Sequence, residues 1–512
     1  MQGSSRPDRE LLDAAVLCSH LLGEGSVHAF LAEHRHRLFP DEMFADLFPT
    51  RRGRPSVPAD VVATVMVLQA LEGRSDRDAC RALQTDIAWK AAAGLALTDE
   101  AFHPTVLTLW RNKLRASDAP QRIFEAVSAV ITESGVIASK HRRAIDSTVL
   151  DDAVARQDTV TMLVEQIRRV RRLIPELASV WVREHNLEGG RPPCDWDDPT
   201  DRDRLVSELV DDANELVWAA EDLVEDGLEL TETQADAVAL LALVAGQDVE
   251  PAGGPGRWRI ARRTAEDRVI STVDPESRHA HKTRSSYRDG YKAHVAAEPD
   301  TGLVTACGIG PGNGGDAEAA PELIAGEPAG TEVLGDAAYG SGEFREHLEA
   351  RGMTATIKPP PLRPAIAGGY TLDDFTFDLD ARTVTCPEGI TVTITPSGSA
   401  RFGTHCATCP DRHLCTTAAR GRVIKLHPHH GLLAAARVLA GTDDFDATYR
   451  QHRPMIERTI AWLVRDNWRR LRYRGIERNQ LSWSHRCAAI NLKRLLALGL
   501  THNGTWAIAT TV

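Results

Sequence analysis

Three acidic residues stand where carboxylates can take part in chemistry. Asp336 follows a short apolar run at 331–335 and leads at once into a glycine turn. Asp146 lies inside another apolar run, and Glu457 lies in a segment of helical spacing at 453–462. Carboxylate oxygens are the preferred ligands of hard cations such as Mg²⁺ and Mn²⁺, and such cations activate the reacting oxygens of phosphodiesters. The three acids therefore predict a metal site that acts on phosphates.

The elements that position these acids alternate in type along the chain. The spacing of apolar residues predicts a strand at 136–149, a hairpin of strands at 289–296 and 303–309, a helix ending near 325, a strand at 332–336, a helix at 341–351 and a strand at 354–358. This order predicts an α/β fold, in which helices flank a mixed sheet.

Glu457 shares a helical stripe with Ile460, Ala461 and Val464. We therefore expect its side chain to point toward the sheet, where an unpaired carboxylate is costly unless a cation meets it. The alternative is an ion pair between Arg453 and Glu457, one helical turn apart on a surface, which needs no function.

Two further acids in the core have simpler explanations. Asp274 precedes a proline, and Asp316 stands where a helix needs an N-cap residue, so both rank below the three acids above. Lys292 and His294 alternate along a hairpin strand and could face a substrate, although alternation also exposes polar side chains by itself.

Four of the nine cysteines cluster between positions 386 and 415. A Cys-x-x-Cys pair with two further thiolates satisfies tetrahedral zinc and leaves no open position for chemistry, so we expect a structural Zn²⁺. The predicted ligands are Cys386, Cys406, Cys409 and Cys415. Four unconnected thiols are the alternative, and His405 or His413 could replace one cysteine as a ligand.

The net charge of −12 hides a basic C-terminal segment. Residues 447–494 carry twelve Lys or Arg against three acids, whereas 195–250 carry eighteen acids against two Arg. Arginines and aromatic residues interleave at 468–475, a composition that can neutralise phosphates and stack on bases, although a solvated basic turn is the alternative. The candidate DNA-binding residues are Arg450, Arg453, Arg465, Arg469, Arg470, Arg472, Arg474 and Lys292.

Composition also predicts a cytoplasmic protein that does not enter a membrane. The sequence has no run of eighteen apolar residues and its first residues lack the layout of a signal peptide. Pattern and linkers divide the 512 residues into a helical unit for DNA binding or dimerisation (1–118), the start of the core (119–150), a helical insertion (151–256), the core continued (257–365), a β-rich, cysteine-rich insertion (366–430) and the end of the core with its basic segment (431–512).

Several motifs carry a family resemblance. The runs from Gly53-Arg-Pro-Ser-Val-Pro58 to His103-Pro-Thr-Val-Leu-Thr-Leu-Trp-Arg-Asn-Lys-Leu114 resemble the InsH-type N-terminal domain of bacterial insertion-sequence transposases. Asp289-Gly-Tyr-Lys-Ala-His-Val295, Gly312-Asn-Gly-Gly-Asp-Ala-Glu-Ala-Ala-Pro321 and Leu334-Gly-Asp-Ala-Ala-Tyr-Gly340 resemble the central part of the same family, the DDE transposases.

The family signature near the third acid is Tyr, two residues, Arg, three residues, Glu, six residues, Lys. Arg453 and Glu457 keep this spacing. Tyr449 lies one residue too far from Arg453, and the Lys position falls on Val464, with Arg465 beside it. The resemblance is therefore strongest for Glu457 in this part of the chain.

The resemblance implies a transposase whose RNase H-like domain holds two Mg²⁺ or Mn²⁺ ions on Asp146, Asp336 and Glu457. Such an enzyme cleaves double-stranded DNA at the terminal inverted repeats of its element and joins the freed 3′-hydroxyl to target DNA. The resemblance also implies a homodimer or larger oligomer that works on the bacterial nucleoid. Two alternatives stay open: a metal-dependent nuclease of the same fold without strand transfer, and a non-enzymatic, zinc-containing DNA-binding protein.

Overall fold

The N-terminal part of the protein is helical. A computed structural model describes residues 1–5, 12–50, 52–187, 189–254, 256–283 and 286–509. The first helices are α1 (Ala14–Cys18), α2 (Val27–Leu38), α3 (Ala59–Glu72), α4 (Asp76–Thr85), α5 (Ile87–Ala93), α6 (Thr105–Arg115) and α7 (Arg122–Glu133). Helix α3 is apolar around almost its whole circumference and is buried, which makes it the centre of this unit.

A helical insertion follows the first core strand, β1 (Arg142–Asp151). It contains α8 (Thr159–Leu173), α9 (Pro199–Glu225), α10 (Glu232–Gln247), β2 (Val249–Pro251) and β3 (Trp258–Ile260). Its helices bury a hydrophobic core of their own, including Leu163, Leu209 and Leu241. The acidic residues of α9 lie mostly on the outside of this core, as expected for a solvated face.

The chain then builds a mixed sheet. Its further elements are β4 (Arg278–Thr283), β5 (Ser286–Ala297), β6 (Val304–Pro311), α11 (Asp316–Leu323), β7 (Glu332–Gly335), α12 (Gly342–Ala350) and β8 (Thr354–Ile357). The sheet order is β4-β5-β1-β7-β8, and β6 pairs with β5 as well. Strand β5 is antiparallel to β1 and to β6, whereas β7 is parallel to β1 and to β8. The expected mixed sheet flanked by helices is therefore confirmed.

Alternation along β1 divides its side chains between two cores. Ile145 packs with Tyr339 and Phe344 on the side of α11 and α12. Ala144 and Leu150 pack on the other side, in the large core that also contains the N-terminal helices. The expected strand at 136–149 was wrong at its start, because residues 136–139 form turns after α7 and β1 begins only at Arg142.

The cysteine-rich insertion consists of short strands: β9 (Thr376–Asp378), β10 (Thr383–Thr385), β11 (Thr391–Thr393), β12 (Ser399–Arg401), the short helix α13 (Arg412–Cys415) and β13 (Val423–Lys425). Strands β9–β11 form one sheet, and β12 pairs with β13. Buried Phe375 and Phe402 pack between these strands and the cysteines.

The last elements close the core. They are α14 (His430–Ala440), α15 (Asp443–Leu463), α16 (Ile476–Ala497), β14 (Leu500–His502) and β15 (Trp506–Ile508). The buried Arg486 of α16 donates hydrogen bonds to the carbonyl oxygens of Ala70, Leu71, Trp462, Leu463 and Arg465. These bonds join the C-terminal end of α3 to the C-terminal half of the chain. In the part of the chain described, no helix combines the length and apolar character needed to cross a bilayer.

Candidate active site

Asp146 and Asp336 meet at one arginine. The side chain of Asp146 projects from β1 on the side of α15, and its Oδ1 accepts a hydrogen bond from the Ser147 amide at 2.8 Å. Asp336 comes directly after β7, and its Oδ1 accepts from the Ala338 amide at 2.9 Å. Nη2 of Arg453 lies 2.8 Å from Oδ2 of Asp146 and 4.0 Å from Oδ2 of Asp336. The two carboxylate oxygens can therefore be no farther apart than the sum of these distances.

The two acids differ in exposure. The side chain of Asp146 is 16% exposed, and that of Asp336 is 46% exposed. Burial raises the pKa of Asp146; the Arg453 charge and the Ser147 amide oppose the rise, whereas the Asp336 charge adds to it. The site therefore disfavours two negative charges until a cation balances them.

Arg453 is the buried cation of this group. It lies on α15, and its Nη1 donates to the carbonyl oxygen of Ile145 at 3.1 Å. Burial acts to lower the pKa of Arg453, but Asp146, Tyr449 and Asp336 together raise it. We predicted a DNA-binding role for Arg453 on a basic segment; the structure places its guanidinium between the two acids instead of on the surface.

Glu457 does not point toward the sheet, so the expectation from its helical stripe is wrong. The inner face of α15 is formed by Ile456, Thr459 and Leu463, and Glu457 is exposed. Its alternative partner, Arg453, pairs with Asp146 and Asp336. Within the described ranges, no three or more His, Cys, Asp or Glu side chains form a group that could hold a metal ion. Two of the three predicted acids thus converge, and the third lies one turn beyond Arg453 on the same helix.

A second polar cluster lies behind the first, on the side of α11. Nζ of Lys292 donates to the Gly314 carbonyl at 2.7 Å and lies 3.3 Å from Oδ1 of Asp316. Nδ1 of His294 lies 3.9 Å from the same oxygen. Burial lowers the pKa of His294 to about 4, so this ring is neutral at neutral pH. Lys292, another predicted DNA-binding residue, is thus engaged by the start of α11, where the N-cap residue is Gly315 and Asp316 follows it.

Tyr339 interacts with acids of both clusters, and the sequence analysis did not predict it as a site residue. It is fully buried in the turn after Asp336. Burial raises the pKa of Tyr339, the charges of Asp316, Asp146 and Asp336 add to the rise, and the Ser147 side chain opposes it. The signal was its position three residues after Asp336, which is also the pattern of an ordinary core aromatic residue.

The other predicted DNA-binding residues lie near the end of β1 or on exposed parts of α15. The backbones of Arg469 and Leu471 are hydrogen-bonded to Asp151, both at 2.8 Å, so the basic segment continues the edge of the first core strand. Arg450, Arg465, Arg470, Arg472 and Arg474 are exposed, and Arg469 is half-buried. Arg450 pairs with Asp446 at 2.8 Å, and Arg472 donates to the carbonyl groups of Gly73 and Arg74.

The four predicted zinc ligands surround one cavity in the cysteine-rich insertion. All four are free thiols; Cys406 and Cys415 are buried, and Cys386 and Cys409 are half-buried. Burial raises the pKa of Cys415, and the three other thiols of the cavity add to the rise. His405 also lines the cavity. The four cysteines line one cavity, but as placed they are not among groups of the described residues that could hold a metal ion, so zinc binding stays a prediction.

The fold and the site define an α/β protein in which the neighbouring inner strands β1 and β7 of a mixed sheet present two carboxylates to an arginine, an architecture compatible with a DDE transposase. Residues 27–113 match the family model described as Transposase domain (DUF772), and residues 385–496 match the one described as Transposase DDE domain. Together, the two matches cover less than half of the chain and indicate a DDE transposase of insertion-sequence type. No curated protein and no solved structure matches it.

The family supports a general activity. Transposases bind DNA and carry out DNA transposition, and DDE domains generally use divalent metal ions. The matched range 385–496 contains Glu457 and all four clustered cysteines, those at 386, 406, 409 and 415. Asp146 and Asp336 lie outside both matched ranges, so their assignment depends on their geometry and on the motifs around them.

Proposed function

We propose that this transposase cleaves DNA at the ends of its element and joins the freed 3′-hydroxyl to target DNA, using Asp146, Asp336 and Glu457. The observation that carries the proposal is the convergence of Asp146 and Asp336 on the Arg453 guanidinium. Two acids from the adjacent strands β1 and β7 supply the negative charge of the site, and the basic segment that joins the end of β1 lies close in the chain to the helix of Glu457.

The residues present fit Mg²⁺ or Mn²⁺. Mg²⁺ is usually bound through one or two carboxylates together with phosphate oxygens of the substrate, so the pair of Asp146 and Asp336 is a sufficient protein contribution. Two such ions would lower the pKa of the attacking hydroxyl and stabilise the leaving oxygen in an in-line displacement. Glu457 is exposed on the helix that carries Arg453, from which it can meet an ion once DNA is present.

The core is proposed to be RNase H-like. The strand order β6-β5-β1-β7-β8, with β5 antiparallel to its neighbours and the last two strands parallel to β1, supports this assignment. In α/β sheets, catalytic groups gather where neighbouring strands end, as Asp336 does after β7. The proposal includes a division of the chain into domains that end at residues 118, 150, 256, 365 and 430. The separate hydrophobic core of the helical insertion supports the unit at 151–256.

The partner is proposed to be double-stranded DNA, both the terminal inverted repeats and the target. The exposed arginines at 465–474 would neutralise phosphates beside the site, and the helical unit at 1–118 would add contacts or dimerise. We also propose a homodimer or larger assembly, a cytoplasmic location on the nucleoid, and structural zinc on the four clustered cysteines.

The test is a reaction of purified protein with DNA that contains the element ends and Mg²⁺. We expect cleavage and strand transfer by the wild type and neither step by Asp146→Asn or Asp336→Asn, with DNA binding largely retained. Pre-cleaved ends with a free 3′-hydroxyl separate the alternatives, because a nuclease would cleave intact DNA but would not join these ends. Wild-type rates in either variant would refute the assignment.

A further inference from the structure

Arg453 lies where a cation shared by Asp146 and Asp336 would approach. Its Nη2 is 2.8 Å from Oδ2 of Asp146 and 4.0 Å from Oδ2 of Asp336, while Nη1 is held by the Ile145 carbonyl at 3.1 Å. Mg²⁺ binds carboxylate oxygens at about 2.0–2.1 Å and needs near-octahedral space around it. A guanidinium in direct contact with Oδ2 of Asp146 takes up part of that space.

The guanidinium and a divalent cation also repel each other. Arginine stays protonated at all ordinary pH values, so the repulsion cannot be relieved by loss of its proton. Two positive charges a few ångströms apart in a partly buried site interact more strongly than in water. The cation and Arg453 therefore compete for the same carboxylate oxygens.

A DNA phosphate can relieve this competition. Arginine matches phosphate with two parallel N–H donors, and such charged hydrogen bonds are among the strong ones in proteins. The approach is open on one side, because the side chain of Asp336 is 46% exposed.

We propose that Arg453 competes with the divalent cation for Asp146 and Asp336 until a DNA phosphate draws its guanidinium away, so that DNA binding and metal binding strengthen each other. This coupling rests on the proposed function, which supplies the metal site and its DNA substrate. It would keep the enzyme poorly loaded with metal when no DNA is present. Coupling is reciprocal, so the cation must raise the affinity for DNA by the same factor.

The experiment measures Mn²⁺ binding by electron paramagnetic resonance, with and without a short mixed-sequence DNA duplex. The proteins are the wild type, Arg453→Gln, and the matched control Arg458→Gln, which removes an exposed arginine from the same helix. An Asp146→Asn/Asp336→Asn protein gives the background, including Mn²⁺ bound by the DNA itself.

Without DNA, Arg453→Gln should bind Mn²⁺ roughly tenfold more tightly than the wild type, within the usual range of coupling between sites. Arg458→Gln should match the wild type. Adding DNA should tighten Mn²⁺ binding to the wild type and to Arg458→Gln, and should change Arg453→Gln much less. Circular dichroism shows whether Arg453→Gln is folded. If this variant is unfolded, the test is the comparison of Mn²⁺ binding to the wild type with and without DNA.

Two results would overturn the proposal in distinguishable ways. If the wild type binds Mn²⁺ above background with an affinity that DNA does not change, the coupling is wrong and the metal site stands. If no protein binds Mn²⁺ above the double-variant background even with DNA, both the coupling and the proposed metal site are wrong.

Discussion

Replacing Glu457 by glutamine should remove the chemistry and leave the fold intact. Glu457 is exposed on α15 and lies outside the ion pairs that Arg453 makes, so its replacement should change the free energy of unfolding by less than about 0.5 kcal/mol. Even a residue that only supports a metal ligand contributes about 10–100-fold to affinity or activity. We therefore expect strand transfer to fall by more than about 100-fold, which corresponds to about 2.7 kcal/mol of barrier.

The assay is single-turnover strand transfer with pre-cleaved element ends and Mg²⁺, combined with urea unfolding followed by circular dichroism. Arg458→Gln is the matched control, since it changes the next exposed residue of the same helix. Strand transfer at the wild-type rate by Glu457→Gln would refute the role of this residue. A large loss of stability would instead show that Glu457 makes contacts that support the fold.

Three further outcomes are expected. Arg486→Met should lower the free energy of unfolding in urea by at least about 3 kcal/mol, because several buried carbonyl groups lose a charged donor, whereas exposed Arg478→Met should change it little. Because the pKa of Asp146 is raised in the folded protein, the contribution of Asp146 to the free energy of unfolding is most favourable below the ordinary carboxyl pKa of about 4 and worsens as pH rises toward the folded value. In metal-free buffer, Asp146→Asn should lose this part of the pH dependence of stability. An unchanged dependence of the unfolding free energy on pH would contradict the burial of Asp146 as its cause. Purified wild type should contain zinc by elemental analysis, Cys409→Ser should contain less and Cys194→Ser should match the wild type; a metal content unaffected by Cys409→Ser would remove Cys409 from the zinc site.

The positions of Asp146 and Asp336 could be predicted because they depend on local pattern. An apolar run that ends on an acid before a glycine turn specifies β7 and its exit at Asp336, whereas Asp146 lies within the apolar run that forms the neighbouring strand β1. The meeting of both acids at Arg453 could not be predicted, because it depends on how far α15 is rotated against the sheet. That rotation is set by long-range packing of residues such as Ile456 and Leu463.

The error at Glu457 has the same origin. A stripe containing Ile460, Ala461 and Val464 competes with the one formed by Ile456, Thr459 and Leu463, and only the second is buried. The polar pair of Lys292 and Asp316 was ranked low for another reason, since each residue alone has an ordinary structural explanation. Only the approach of β5 to the start of α11 brings them together.

The attachment of Arg469 and Leu471 to the end of β1 has a consequence for synthesis on the ribosome. The strand that carries Asp146 is translated early, but the segment that pairs with the end of this strand is translated more than three hundred residues later. Arg453, the ion-pair partner of Asp146, also follows it by more than three hundred residues. Domains that form from early segments can fold during translation, whereas this sheet edge cannot. A chain that stops before α15 therefore lacks Arg453 and Glu457 and carries no assembled centre that could act on DNA.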